Sequence, residues 1–161
     1  MSEEIAGFIK VLVVGVRVEM PSNQPIILLQ NENGDKYLPI WVGAVEATAI
    51  AFAQQGVVPP RPLTHDLFKE SLEALGSNVK RVKITSLLDG VFYAEMELGG
   101  GQVISARPSD AVALALRFKA DIYVAQDVLL AAGIEIPEEQ EEEVDKFREF
   151  LDQVNPDDFN L

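Results

Sequence analysis

Two short segments of the chain carry side chains suited to chemistry. The first is Arg61-Pro62-Leu63-Thr64-His65-Asp66-Leu67, which holds the only histidine. A histidine and an acid at a helix start can serve as general base and metal ligand. The structural alternative is that Thr64 caps the helix, Asp66 complements its dipole and His65 only packs. The second segment is Ala106-Arg107-Pro108-Ser109-Asp110. Arg107 can grip a phosphate bidentately, and the free N–H groups of a helix start favour anions. The structural alternative pairs Arg107 with Glu46 or Asp110 and leaves Ser109 as a cap. Glu46, Asp66 and Asp110 together offer oxygen ligands of the kind Mg²⁺ prefers.

Other chemistries are excluded. With no cysteine there is no disulfide, thiolate metal site or cysteine nucleophile. One histidine cannot supply a two-histidine acid–base pair, and the HEXXH zinc arrangement is absent. The glycines at 99–101 lack the Lys and Ser/Thr of a phosphate-cradling loop. Ser109 has no triad behind it.

The elements that must position these residues occur twice in outline. Leu38–Gln55 (LPIWVGAVEATAIAFAQQ) reads as strand, turn and Ala-rich helix, and so does Val103–Lys119 (VISARPSDAVALALRFK). Glu46 and Asp110 match at an offset of 64, each an acid in a first helical turn. Before the first unit, strands are expected at Phe8–Met20, with a bulge at Gly15, and at Pro25–Gln30. Asn33-Gly34 is a hairpin turn. Between the units, a helix over His65–Leu75 presents Leu67, Phe68, Leu72 and Leu75 on one face. Strands Val79–Leu87 and Val91–Leu98 flank the turn Asp89-Gly90. A strand at Asp121–Ala125 and a short helix at Gln126–Ala132 follow. Trp41 reads as a core or interface anchor.

The chain has 161 residues, 48% of them hydrophobic, enough for one sizeable core. Residues 1–134 read as the domain and 135–161 as an acidic helix and tail. That tail holds 11 acids and 2 bases, or −9 of the net −13. A docked helix over Glu138–Val154 is expected from its stripe of Val144, Phe147, Leu151 and Val154. It would cover Lys80, Arg81 and Lys83 or simply complete the core. No signal peptide or membrane span is expected, which reads as a cytoplasmic protein.

The motifs LPIWVG at Leu38–Gly43, Glu46-Ala47, RPLTHDL at Arg61–Leu67 and ARPSDAVALALR at Ala106–Arg117 come in order, followed by IYV and VLLAAGI. Together they resemble the bifunctional nuclease domain family over about Val11 to Ile134. Plant members of that family are described as having DNase and RNase activity. The resemblance implies a mixed α+β body assembled into oligomers. Glu46, His65, Asp66, Arg107, Ser109 and Asp110 fall on family motif positions.

The resulting expectation is an α+β fold. A mixed, largely antiparallel sheet carries the two strand–turn–helix units, packed by short helices, with an acidic C-terminal helix. The expected function is a nuclease acting on DNA and RNA, assisted by Mg²⁺ or Mn²⁺. Its catalytic residues are Glu46, His65, Asp66 and Asp110, and its metal ligands are the three acids. Arg61, Thr64, Arg107 and Ser109 bind substrate. The alternative is a non-catalytic binding or regulatory module for a protein or small anion. The small-residue faces Ala47/Ala51 and Ala111/Ala115, with Trp41, point to a homo-oligomer, a dimer above all.

Overall fold

The alternating apolar residues near the N-terminus form β1 (Phe8–Glu19), which pairs antiparallel with both β2 (Gln24–Asn31) and β7 (Asp121–Ala125). The computed structural model describes residues 5–135. β1 shifts register against β2 between Val13 and Gly15, the bulge expected at that glycine. β3 (Lys36–Trp41) returns against β2 through the turn at Asn33 and Gly34. β4 (Val79–Leu88), β5 (Val91–Leu98) and β6 (Val103–Ala106) form an antiparallel meander. β4 joins β7 by a parallel pairing, and β8 (Ile134–Glu135) closes on β3. The eight strands lie in the order β6-β5-β4-β7-β1-β2-β3-β8.

The two Ala-rich runs become α1 (Ala44–Gln55) and α3 (Pro108–Phe118). Gly56 ends α1 in the left-handed conformation at φ 67°, and Pro108 stands at the start of α3, where its missing N–H costs nothing. α1 lies on β1 and β2, α3 lies on β4, β5 and β7, and the two helices touch each other. Ala47, Ala51, Ala111 and Ala115 are all buried. The small-residue faces expected to join copies of the chain therefore belong to one chain's interior. Missing side-chain bulk is what lets two helices approach closely over one sheet, and within a single chain that meeting is already satisfied. α4 (Gln126–Ala132) lies against β3, β4 and β7.

α2 (Thr64–Ala74) forms where the helix over His65–Leu75 is expected. It rests on α3 and has no buried residue. Of its apolar face only Leu72 packs against the core, while Leu67, Phe68 and Leu75 are exposed. Trp41 is also not in the core. It is 53% exposed and its indole N–H donates to Glu19. It shares its strand face with Pro39, opposite the buried Leu38 and Ile40. Arg81 and Lys83 both pair with Glu97 across β4 and β5. The expected helix at 138–154 lies outside the described residues. Among those described, no helix is long and apolar enough to cross a membrane.

Candidate functional site

The contact of α1 with α3 brings together two first turns that are 64 residues apart in sequence. Arg107, the residue preceding α3, bridges them. Its Nη2 lies 2.8 Å from Glu46 Oε1 and 2.8 Å from Asp110 Oδ2, and its Nε donates to Asp110 Oδ2 at 2.8 Å. Both pairings foreseen for Arg107 are thus made at once. Two carboxylates near two helix N-termini are held by one cation between them. Hydrogen bonds to Glu46, then to Asp110, raise the Arg107 pKa above its ordinary value, so the guanidinium stays charged. Its side chain is nevertheless 65% exposed. Nη1 keeps its donors without a partner among the described residues, and they are available to an anion arriving from solvent.

α2 delivers its first turn onto α3. His65 Nε2 lies 2.9 Å from Asp110 Oδ1. The neighbouring Asp66 Oδ1 accepts from Arg117 Nε at 2.8 Å. Asp110 and Arg117 are seven residues apart, hence on one face of α3 and about 10 Å apart along its axis. His65 and Asp66 therefore point to different places. His65 joins the Arg107 cluster, with its side chain 12% exposed. Asp66 belongs to a pair with Arg117, whose side chain is 7% exposed and which also donates from Nη1 to the Ala113 carbonyl.

The cap of α2 is not Thr64. The N-cap is Leu63, whose N–H donates to Asp66 Oδ2 at 3.1 Å, so Asp66 serves the helix start and Arg117 together. A leucine offers no side-chain acceptor, which leaves this role to the acid three residues on. Thr64 and Arg61 are exposed, whereas Ser109 is buried at 7% exposure. Nor does Ser109 cap α3: Arg107 takes the N-cap position, with no side-chain cap bond.

The three acids expected to share a metal are not arranged as one ligand set. Asp66 faces Arg117, and the Arg107 guanidinium occupies the space between Glu46 and Asp110. Among the described residues no group of three or more His, Asp or Glu side chains is placed to hold a metal ion. A divalent cation would have to take the place of Arg107.

Two residues of this site escape sequence reasoning. Arg117 is one, although an arginine ending the apolar run 111–116 must find an acid if it is buried. Gly43 is the other. A Cβ added there would collide with Glu46 Oε2, so the glycine leaves the room in which that carboxylate sits. No sequence signal separates this glycine from one that merely turns the chain.

A family model described as "Bifunctional nuclease domain" matches residues 27–137. The chain is 54% identical over 159 residues to an uncharacterized protein of Mycobacterium tuberculosis, covering 93% of this chain and 97% of that one. It is 31% identical over 127 residues to Bifunctional nuclease 2 of Oryza sativa subsp. japonica, covering 74% of this chain and 39% of the rice protein. It is 28% identical over 121 residues to Bifunctional nuclease 1 of Arabidopsis thaliana, covering 71% and 37%. The chain thus spans somewhat over a third of the length of these two plant relatives.

Proposed function

The chain belongs to the bifunctional nuclease domain family, and from that premise we propose that it hydrolyses phosphodiester bonds of nucleic acid at the Glu46–Arg107–Asp110–His65 cluster. The observation that carries this reading is the 2.9 Å contact of His65 with Asp110 beside an exposed, permanently charged Arg107. Arg107 receives the phosphate through its outward donors. With its Nε2 proton donated to Asp110, His65 presents Nδ1 as an acceptor. Nδ1 takes a proton from water as the water oxygen bonds to phosphorus. The bond from phosphorus to the leaving oxygen breaks on the opposite side, that oxygen takes a proton from solvent, and the imidazolium releases its own to solvent.

One observation favours the other reading, a binding module for an anion. Asp66 is tied into a largely buried ion pair and is not free to act as an acid or base. Both readings use Arg107, but only the nuclease uses His65 as a base. Cleavage of single- and double-stranded DNA and RNA by highly purified protein, with and without chelator, separates them. Under the nuclease reading His65→Ala lowers the rate by about 10²–10⁴-fold. An unchanged rate in that variant places the activity elsewhere. Absence of cleavage by the unmodified protein, with anion binding retained, selects the binding module.

A further inference from the structure

A cleft of about 650 Å³ opens between α2, the ends of α1 and α3, and the extended connector 57–63, and His65 is not part of its lining. Its volume lies in the range of sites that enclose small organic ligands. Its lining is chemically mixed. The apolar part is made by Phe52, Val58, Pro59 and Pro62. The connector cannot be helical because its prolines hold it extended, and this is what lays those rings along the cleft. The cationic part is Lys69, on α2, and Lys119, at the end of α3. Neither lysine is in an ion pair among the described residues, and Lys69 only lies over the Phe118 ring at 5.8 Å. The acidic part is Glu70 and Glu73, both exposed and beside Lys69 on α2.

The floor is the Asp66–Arg117 pair. Arg117 is more than nine-tenths buried, and its Nε and Nη1 are engaged by Asp66 and the Ala113 carbonyl. Its Nη2 has no partner among the described residues. A buried donor left in this state is costly unless a ligand or water accepts from it.

We propose that this cleft binds a free ribonucleoside monophosphate. The formal charges inside it balance, so a bare dianion is not its best occupant. A nucleotide has a part for each of these groups. Its base has flat faces for the rings of Phe52 and the prolines. Its phosphate takes the two lysines and Arg117 Nη2. Its ribose hydroxyls donate to the glutamates, as ribose commonly does to an acid in dinucleotide sites. The site does not depend on His65 acting as a base, so it stands or falls separately from the proposed hydrolysis.

Calorimetric titration of the full chain with adenosine 5′-monophosphate tests it, alongside 2′-deoxyadenosine 5′-monophosphate, adenosine and inorganic phosphate. The monophosphate is expected to bind more tightly than the other three. Lys119→Asn suits the left-handed backbone at φ 55° and is expected to weaken binding about tenfold, equivalent to about 1.4 kcal/mol. Lys69→Gln is expected to act likewise. The double variant Glu70→Gln with Glu73→Gln is expected to remove the preference for ribose, and His65→Ala to leave binding unchanged. No binding of the monophosphate at millimolar concentration overturns the proposal. So does equal affinity for inorganic phosphate, or binding lost in His65→Ala and kept in Lys119→Asn.

Discussion

The two strand–turn–helix units have the same outline and different chemistry. β3 leads into α1 as β6 leads into α3, and both helices bury an alanine-rich face against each other. Each puts one acid in its first turn, Glu46 or Asp110. The difference is two arginines. Where the second unit has Arg107 and Arg117, the first has Gly43 and Ala53. Arg107 reaches back to Glu46, and Arg117 reaches sideways to Asp66 on α2. Gly43, in turn, leaves room for the Glu46 carboxylate. The repeated part builds the scaffold, and the unmatched side chains tie three helices into one polar cluster. Only the second unit's acid also touches the histidine.

The shared part can be broken first. Ala47 and Ala111 are fully buried at matched positions. Ala47→Leu and Ala111→Leu each force bulk into a close helix contact and are expected to destabilise the fold by about 3 kcal/mol. Urea unfolding measures both. Equal losses fit matched packing, and a loss at one position alone shows that the two units are not structural counterparts.

The unmatched part has a smaller expected effect on stability. Arg117→Met keeps the apolar stem and removes the charge, leaving the Asp66 carboxylate with the Leu63 N–H but no cation. Asp66 is a quarter exposed, so the cost is expected to be about 2 kcal/mol, below that of breaking a fully buried pair. Thermal unfolding of Arg117→Met beside Asp66→Asn with Arg117→Met measures it. Recovery of stability in the double variant assigns the loss to the stranded charge. No recovery assigns it to packing of the arginine.

The repeat, the strand and helix content and the hairpins were legible because each has a local cause, such as period-two alternation, alanine runs or Asn-Gly and Asp-Gly turns. A pairing of Arg107 with Glu46 or Asp110 was one of two readings open for that residue, and the fold makes both contacts. What was not legible depends on direction. The sequence places His65 and Asp66 side by side, but only the crossing of α2 over α3 sends one to Asp110 and the other to Arg117. The same crossing explains why the apolar residues of α2 stay exposed, since the helix rests on another helix and not on the sheet. The core reading of Trp41 failed for a related reason. Sequence gives the alternation along β3, and the tertiary fold decides which face is covered.

The central claim is that Asp110, and not its counterpart Glu46, works with the histidine. Cleavage rates of Asp110→Asn and Glu46→Gln test it most directly. Asp110→Asn removes the charge that orients His65 and is expected to lower the rate by about 10²-fold or more. Glu46→Gln keeps an acceptor for Arg107 and is expected to lose only a few-fold. Equal losses, or a greater loss in Glu46→Gln, would contradict the claim.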